Sequence, residues 1–229
     1  MESREVLRAE HLRKTYRGRD VLKDVTFRLE TGDAVALLGP PGAGKTTLLR
    51  ILAGMAFPEE GSISLFGSAG EMALRRARQQ AGFLVGAPFG KKTFNVEKNL
   101  RLRAGLYGKP DREHIRRLMK QLRIREADVG GKRMSLLLKG TQARCAIAAA
   151  LVNKPRLLIL DEPLRDVDTE DLGPIYSLLH ELRESGTAML LTGEDGELLR
   201  PVCSRAMFLN EGVLTGPVPM EEAKGFPAL

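Results

Sequence analysis

The chain begins with two stretches, 5–16 and 20–30, in which apolar and polar residues alternate. Alternation with a period of two is typical of half-buried strands, so these stretches predict two antiparallel strands. A further short strand is predicted at 61–67. Two other runs, at 33–39 and 156–162, are almost continuously apolar. Such runs are typical of strands that are buried on both faces, as in a parallel sheet.

Apolar residues with helical spacing predict four helices farther along the chain. The predicted helices cover 96–107, 111–123, 141–152 and 171–185, and a strand is predicted at 187–192. The segment of about 94–152 has little β character, and we interpret it as a helical subdomain inserted in the core. The sequence therefore predicts one α/β domain over 1–229, with a mainly parallel core sheet, an antiparallel β subdomain and this helical subdomain.

The net charge of +7 is concentrated in one segment, since residues 91–133 hold 14 Lys and Arg residues against 5 Asp and Glu residues. A basic segment of this kind fits a nucleic acid, the anionic inner leaflet of a membrane, an acidic partner or a solvated helical face. Only Phe94 and Tyr107 provide aromatic rings there, which argues against stacking on single-stranded bases. We therefore expect no nucleic-acid partner.

Both cysteines, Cys145 and Cys203, lie in apolar runs. We expect two buried, reduced thiols rather than a disulfide, which is usual for a cytoplasmic protein. The first ten residues are charged and have no apolar core, and no run of eighteen apolar residues occurs. The sequence thus predicts neither export nor a membrane-spanning segment.

Residues 39–46, which we call the glycine loop, read GPPGAGKT and match the pattern G-x-x-x-x-G-K-[ST]. An apolar run precedes the loop and a helical pattern follows it, which is the context that a phosphate-binding loop requires. Backbone N–H groups at such a helix start can hold a phosphate chain, Lys45 can bind the β and γ phosphates, and the Thr46 hydroxyl can ligate Mg²⁺. The candidate nucleotide-binding residues here are Gly39, Pro40, Pro41, Gly42, Ala43, Gly44, Lys45, Thr46 and Thr47.

Two carboxylates follow the second apolar run, in LLILDEP at 157–163. At the carboxyl edge of a parallel sheet, Asp161 can reach the magnesium shell and Glu162 can face the γ phosphate. A glutamate in that place can act as a general base toward the attacking water. We therefore predict that Thr46 and Asp161 are metal ligands and that Glu162 is catalytic.

These motifs together resemble the ATP-binding subunit of ABC transporters, over about residues 5–215. The first half is most similar to the subgroup that serves ABC-2-type and peptide-antibiotic exporters. The resemblance implies a P-loop NTPase fold of the ABC type, with a RecA-like core, whose cofactors are ATP and Mg²⁺. It also implies that Tyr16 stacks on adenine, a role that suits an aromatic ring with a polar tip. Asp168 matches the D-loop aspartate, which helps to form a dimer interface.

The resemblance further implies two partners, an integral-membrane permease and a second nucleotide-binding subunit, in a homodimer or a heterodimer. It implies a cytoplasmic location, peripheral on the inner face of the cell membrane. Gly86 and the turn formed by Pro88, Phe89 and Gly90 would line the cleft that receives the permease. The basic helical segment would lie close to the inner leaflet.

Three positions depart from the family pattern. Gly86 stands where the Q-loop has glutamine or glutamate, Leu138 stands where the signature motif has serine, and Gly193 stands where the switch histidine belongs. The loss of a group that positions water or phosphate commonly costs roughly 10²-fold or more in rate. We therefore expect this chain to bind Mg-ATP but to hydrolyse it slowly or only in a complex.

Two other functional classes compete with the transporter hypothesis. A soluble ABC-type protein with a regulatory or scaffold role would carry the same nucleotide motifs, and a soluble cluster-assembly type stays open. A small-molecule kinase is disfavoured because the LDEP run at 160–163 and Asp168 make sense in a dimeric ATPase. Co-purification of a polytopic membrane protein would favour the transporter over the soluble class.

Overall fold

The computed structural model describes residues 4–86, 90–108, 110–194 and 196–223. The strands within these ranges are β1 (Glu5–Tyr16), β2 (Arg19–Glu30), β3 (Ala34–Leu38), β4 (Glu60–Leu65), β5 (Ser68–Ala69), β6 (Ala81–Leu84), β7 (Leu157–Leu160), β8 (Ala188–Gly193), β9 (Arg205–Asn210) and β10 (Val213–Pro219). The helices are α1 (Lys45–Leu52), α2 (Glu71–Ala77), α3 (Val96–Gly105), α4 (Arg112–Gln121), α5 (Glu126–Val129), α6 (Lys139–Leu151) and α7 (Thr169–Glu184). The predicted α/β class is confirmed.

The smaller sheet is antiparallel and has the strand order β2-β1-β4-β5. A two-residue turn, Arg17 and Gly18, joins β1 to β2, and both residues have positive φ, at 51° and 78°. Turns of this kind match the twist of a hairpin because the type I′ geometry needs positive φ at both central residues. Leu7, Ala9 and Leu12 of β1 are fully buried beneath this sheet. The alternating sequence thus forms the predicted antiparallel pair.

The larger sheet has the strand order β10-β9-β3-β8-β7-β6. All neighbouring strands from β9 to β6 run parallel, and β10 pairs antiparallel with β9. Both β3 and β7 are buried at every position. Strands buried on both faces are the ones that carry continuous apolar sequence, so the predicted mainly parallel core sheet is confirmed.

Alternate residues of β3 face two different hydrophobic cores. Val35 and Leu37 pack in one core with apolar residues of α1 and of the smaller sheet. Ala34, Ala36 and Leu38 pack in the other core with residues of α3, α4, α6 and α7. Successive side chains of a strand point to opposite faces, so one central strand contributes to both layers. The larger sheet is therefore covered on both faces.

Four helices, α3 to α6, lie in the chain between β6 and β7. Two of them begin at side-chain caps, where Asn95 Oδ1 accepts from the Lys98 N–H at 2.9 Å and Asp111 Oδ1 accepts from the His114 N–H at 2.9 Å. Such caps satisfy backbone donors that have no partner within the helix. The ends of α3, α4 and α6 lie within two residues of the predicted ends. No helix in the described ranges is long and apolar enough to span a membrane.

A buried ion pair joins α6 to α7. Arg144 Nη1 lies 3.2 Å from Asp171 Oδ2, and the two side chains are 6% and 10% exposed. The same nitrogen donates to the Arg123 carbonyl oxygen at 2.6 Å, beyond the end of α4. A buried charge is tolerated only when it is paired and hydrogen-bonded, and Arg144 meets both conditions.

Candidate functional site

The carboxyl ends of the central parallel strands meet at one edge of the larger sheet. β3 ends in register with β8, and β6 ends in register with β7, which pairs in turn with β8. The glycine loop follows β3, Asp161 follows β7, Gly193 ends β8, and Gly86 lies two residues beyond β6. These four features therefore lie around the crevice at the strand ends, where parallel sheets commonly bind ligands.

The backbone of the glycine loop requires glycine at several positions. Gly42 and Gly44 have φ of 82° and 107°, in a region that glycine adopts without steric cost. A Cβ on Gly44 would lie 2.8 Å from the Val21 carbonyl oxygen, so the loop packs closely against the start of β2. A Cβ on Gly39 would collide with the Leu209 carbonyl oxygen of β9. The loop is thus held between the hairpin and the larger sheet.

The remaining loop residues differ in their exposure. Pro41 is exposed, Pro40 and Thr47 are half-buried, and Ala43 is buried. The Ala43 N–H donates to the Pro40 carbonyl oxygen at 3.2 Å, which closes a turn within the loop. Because α1 begins at Lys45, its N-terminal end, which carries a partial positive charge, lies at the loop.

Lys45 is buried, and its amino group bonds back to the loop. Its Nζ donates to the Gly39 carbonyl oxygen at 2.5 Å and to the Pro40 carbonyl oxygen at 3.2 Å. Burial lowers the pKa of Lys45 from its ordinary value of 10.5, and the charges of Glu162, Glu194 and Asp161 oppose that shift. The lysine is therefore a partly desolvated cation among carboxylates, which is the setting expected for a phosphate-binding charge.

Thr46 and Asp161 are brought together as predicted for two ligands of one metal ion. Thr46 Oγ1 donates to Asp161 Oδ2 at 2.8 Å, and Thr192 Oγ1 donates to Asp161 Oδ1 at 2.8 Å. Both carboxylate oxygens are thus fixed in direction. Mg²⁺ in nucleotide sites commonly takes one or two carboxylates together with phosphates and water, so this pair of oxygen donors fits Mg²⁺.

Glu162 has a strained backbone and a charged partner. Its φ is 46°, which is unusual for a residue other than glycine, and its N–H donates to Thr192 Oγ1 at 2.8 Å. Strain of this kind persists where the surroundings hold it in place, and it is concentrated at functional sites. The carboxylate lies 2.5 Å from Arg165 Nη1. That hydrogen bond raises the pKa of the Arg165 guanidinium above its ordinary value.

Gly86 lies beside the predicted metal ligands, as its alignment with the Q-loop implies, but an arginine occupies the adjoining space. A Cβ on Gly86 would lie 3.0 Å from Arg50 Nη2 and 3.4 Å from Thr46 Cγ2. The Arg50 guanidinium of α1 therefore lies at this edge of the site, and Gly86 itself offers no polar side chain there. Pro88 and Phe89 of the predicted permease cleft lie outside the described residues.

Gly193 contributes no side chain at the end of β8. The histidines of the chain lie elsewhere, because His11 pairs with Asp24 on the smaller sheet at 2.7 Å, and His114 and His180 belong to α4 and α7. None of the three therefore takes the place of the switch histidine in the crevice.

Leu138 and Asp168 lie at the start of α6 and α7, respectively. Leu138 is the N-cap residue of α6, is 78% exposed and makes no side-chain cap bond. Two residues later, a Cβ on Gly140 would lie 2.5 Å from Asp168 Oδ2. The Asp168 carboxylate is thus packed against the N-terminal end of α6, where the partial charges of a helix favour an anion. The segment that aligns with the signature motif and the residue that aligns with the D-loop aspartate are therefore neighbours.

Tyr16 ends β1 at the tip of the hairpin, and its side chain is 44% exposed. Lys14 Nζ lies 5.2 Å from the centre of its ring. The same hairpin contacts the glycine loop through Val21, so the ring belongs to an element that borders the loop. This placement is compatible with the predicted contact to a nucleotide base.

Four further residues, which the sequence did not predict, lie among the side chains around Lys45, Thr46, Asp161 and Glu162. They are Arg50, Thr192, Arg165 and Glu194. Helical spacing would have indicated Arg50, which lies four residues after Thr46 on α1. Thr192 directly precedes Gly193, so the strand end would have indicated it. Arg165 and Glu194 carry no comparable signal, because their pairing depends on the path of two loops.

Comparison with known proteins agrees with the resemblance to ABC-transporter ATP-binding subunits. Residues 22–165 match the family model for ABC transporters. The lipopolysaccharide export system ATP-binding protein LptB of Acidithiobacillus ferridurans is 34% identical over 225 residues, which are 95% of this chain and 92% of the relative. The Nod factor export ATP-binding protein I of Ralstonia nicotianae is 31% identical over 90% of this chain and 65% of its own length.

Solved structures agree with these sequence matches. An ATP-binding subunit of an ABC transporter has a TM-score of 0.84 and 26% identity, over 95% of this chain and 91% of that one. A dimeric ATP-binding cassette bound to ADP and Pi is 23% identical and has a TM-score of 0.85, over 96% of this chain and 100% of that one, and so shares the fold. The chain therefore belongs to the ABC transporter family, as one of its ATP-binding subunits.

Proposed function

We propose that this subunit binds Mg-ATP at the glycine loop and couples binding to a separate membrane permease, with hydrolysis that is slow or depends on a partner. The observation that carries the proposal is the 2.8 Å bond between the Thr46 hydroxyl and the Asp161 carboxylate, beside the buried amino group of Lys45. In this proposal Thr46 and Asp161 hold Mg²⁺, which would help to neutralise the charge of the terminal phosphates. Glu162 follows directly and would orient the attacking water.

The proposed low activity rests on the side chains that the site lacks. Gly193 offers no group to position the γ phosphate, and Gly86 offers none to the metal edge, where Arg50 lies instead. A cation beside a magnesium site disfavours the ion by electrostatic repulsion. Binding through Lys45 and the loop backbone depends on neither glycine, so we expect binding to be retained better than turnover.

A second nucleotide-binding subunit would complete the proposed site. The start of α6, with the exposed Leu138 at its N-cap, contacts Asp168 at Gly140, and together these residues form a surface that would face the nucleotide of the second subunit. Leucine there has no hydroxyl to offer to a phosphate. A heterodimer in which a regular partner supplies its own signature to this glycine loop would restore that contact, whereas a homodimer would contain two weak sites.

We also propose one nucleotide-binding domain over 1–229, with the segment of about 94–152 as its helical subdomain. Its place would be the cytoplasmic face of the membrane, with the basic segment 91–133 near anionic lipid. The relatives named for lipopolysaccharide and Nod factor export make export the direction that we propose. The transported molecule would be selected by the permease.

The proposal is tested by purifying the complex from its native membrane and measuring its ATPase activity with the wild-type subunit and with Glu162→Gln. We expect a polytopic membrane protein in the complex and a large loss of activity in the variant, since removal of a catalytic base commonly costs roughly 10²-fold or more. Unchanged activity would show that another chain hydrolyses ATP. A complex without a membrane protein would favour the soluble regulatory class.

A further inference from the structure

We propose that Arg165 is a further nucleotide-binding residue, which contacts the terminal phosphate of ATP and so distinguishes ATP from ADP. This inference rests on the proposed function, because it assumes that a nucleotide binds beside Lys45. It assigns a role to a side chain that none of the sequence motifs includes.

The geometry places Arg165 between two carboxylates at the mouth of the site. Its Nη1 lies 2.5 Å from Glu162 Oε2, and its Nη2 lies 3.6 Å from Glu194 Oε1. The guanidinium therefore bridges the loop after β7 and the end of β8. The positive charge of Arg165 reduces the repulsion between these two carboxylates and offsets one of the two negative charges that an approaching phosphate would meet.

An open cavity of about 190 Å³ adjoins this bridge. Glu162, Arg165, Thr192, Gly193 and Glu194 are among its lining residues. Arg165 is the one cationic side chain among the described residues that line the cavity, and Gly193 leaves its wall open. A small anion that enters the cavity would have to bind at this guanidinium, since the other charged lining residues are the carboxylates of Glu162 and Glu194.

Arg165 is also linked to the glycine loop through the two carboxylates that follow β7. Its partner Glu162 directly follows Asp161, and Asp161 Oδ2 accepts from Thr46 Oγ1 of the loop at 2.8 Å. A terminal phosphate held by Lys45, which precedes Thr46, would therefore lie on the side of the site where Arg165 stands. The β phosphate would lie nearer to the loop, so we expect the arginine to favour the triphosphate.

The chemistry of the side chain suits an exchange of partners. The Arg165 side chain is 64% exposed, which leaves it free to turn, and a guanidinium has five N–H donors in a fork that fits phosphate. An exposed ion pair contributes little to folding stability, so little free energy is needed to break the bridge. Arg165 can therefore donate to a phosphate while it still contacts one of the two carboxylates.

The test measures the affinities of the purified chain for Mg-ATP and Mg-ADP by calorimetry. In Arg165→Gln we expect Mg-ATP to bind about tenfold more weakly, the lower end of what a lost hydrogen bond to a charged group costs, with Mg-ADP affinity nearly unchanged. Glu194→Gln should have the opposite sign and raise the preference for ATP, since it removes repulsion and releases the arginine. If the bridge were purely structural, the two variants would not change the ratio of Mg-ATP affinity to Mg-ADP affinity in opposite directions.

Arg125→Gln is the matched control, because Arg125 is also exposed and pairs with a carboxylate three residues away, Asp128, at 2.8 Å. It should leave both affinities unchanged. Arg165→Lys keeps the charge and should retain part of the ATP preference, and it provides a second variant if Arg165→Gln does not fold. If Arg165→Gln leaves the ratio of Mg-ATP affinity to Mg-ADP affinity unchanged or increases it, the inference about Arg165 is overturned, but the proposed function is not. A wild-type chain that binds neither nucleotide overturns the proposed function as well.

Discussion

At the scale of single residues, the site is a set of opposite charges around one buried amine. Lys45 is only 6% exposed, and three carboxylates offset the cost of burying its charge. A buried cation without such partners would lose its proton or destabilise the fold. A phosphate chain would bring further negative charge to the same amine, so binding and charge compensation act in the same direction.

The role of Thr46 is tested by Thr46→Val, which keeps the shape of the side chain and removes the hydroxyl. We expect the gain in ATP affinity that Mg²⁺ provides to fall on the order of tenfold, because one ligand and its bond to Asp161 are lost. The measurement is calorimetric titration with ATP, with and without Mg²⁺. Thr46→Ser retains the hydroxyl and should restore the magnesium dependence. An equal effect of both variants would contradict a metal-ligand role.

The pH dependence of ATP binding tests the state of Lys45. Its pKa is lowered by burial, so the protonated amine that binds phosphate is present at low pH and is lost as pH rises toward the ordinary value of 10.5. We therefore expect Mg-ATP affinity to be full near neutral pH. As the pH is raised, the affinity should begin to fall before pH 10.5 is reached. Titrations at stepwise higher pH measure this decline. Lys45→Gln should bind weakly at every pH, and a wild-type affinity as flat as that variant's would contradict the prediction.

The motif residues of the site were predictable because their chemistry is encoded within short segments. Lys45 and Thr46 lie in one eight-residue loop, and Asp161 and Glu162 end one apolar strand. Arg165 was not predictable, because its contact with Glu194 joins two loops that are far apart in the chain. The sequence gives the charges of those loops but not their path.

At the scale of elements, long apolar patterns predicted the strands and helices that build the core. Such patterns did not predict the short elements. β6 has only four residues and includes Gly82, where a Cβ would collide with the Ala150 carbonyl oxygen of α6. That requirement arises from a helix that packs on the strand, so it is invisible in the local pattern. α2 is a seven-residue helix with Ala77 as its one buried residue, too few to give a helical period.

The start of α6 offers a prediction about stability. Leu138 occupies the N-cap with extended backbone angles, φ −61° and ψ 150°, but its side chain cannot accept a hydrogen bond. Leu138→Ser should therefore raise the free energy of unfolding by about 1 kcal/mol, as a hydroxyl cap typically does. Urea denaturation measures the change.

Leu136→Ser is the control for that prediction, because Leu136 is also exposed but lies in the short 3-10 turn before α6. It should change stability by less than about 0.5 kcal/mol, as surface substitutions usually do. Equal stabilisation by the two serines would show that loss of an exposed leucine, rather than capping, is responsible.

The ion pair between α6 and α7 gives a prediction of the opposite sign. Asp171→Ala would leave the buried Arg144 guanidinium without its carboxylate, so we expect a loss of about 3–5 kcal/mol in unfolding free energy. Asp128→Ala removes the carboxylate of the exposed Arg125 pair and should cost far less, because solvent screens such a pair. Chemical denaturation of both variants measures the difference, and similar losses would contradict a special role for the buried pair.

At the scale of the whole molecule, the proposed site lies where the two sheets meet. The smaller sheet contacts the glycine loop through Val21, and the parallel sheet supplies Asp161 and Glu162. Such an arrangement allows a nucleotide to link the two sheets. The substitutions at Gly86, Leu138 and Gly193 leave this framework intact while they remove groups that act on the phosphate or its surroundings. We therefore expect the isolated chain to hold ATP without rapid turnover.

The most direct test of this account is a single-turnover experiment in which purified chain is mixed in excess with radiolabelled Mg-ATP. Bound ATP and newly formed ADP are then followed over time. We predict that wild-type protein retains ATP and forms ADP far more slowly than about 10 s⁻¹, a typical enzyme turnover number, and that Lys45→Gln retains little ATP. Conversion by the isolated wild-type chain at tens per second, or no retained ATP, would contradict the account.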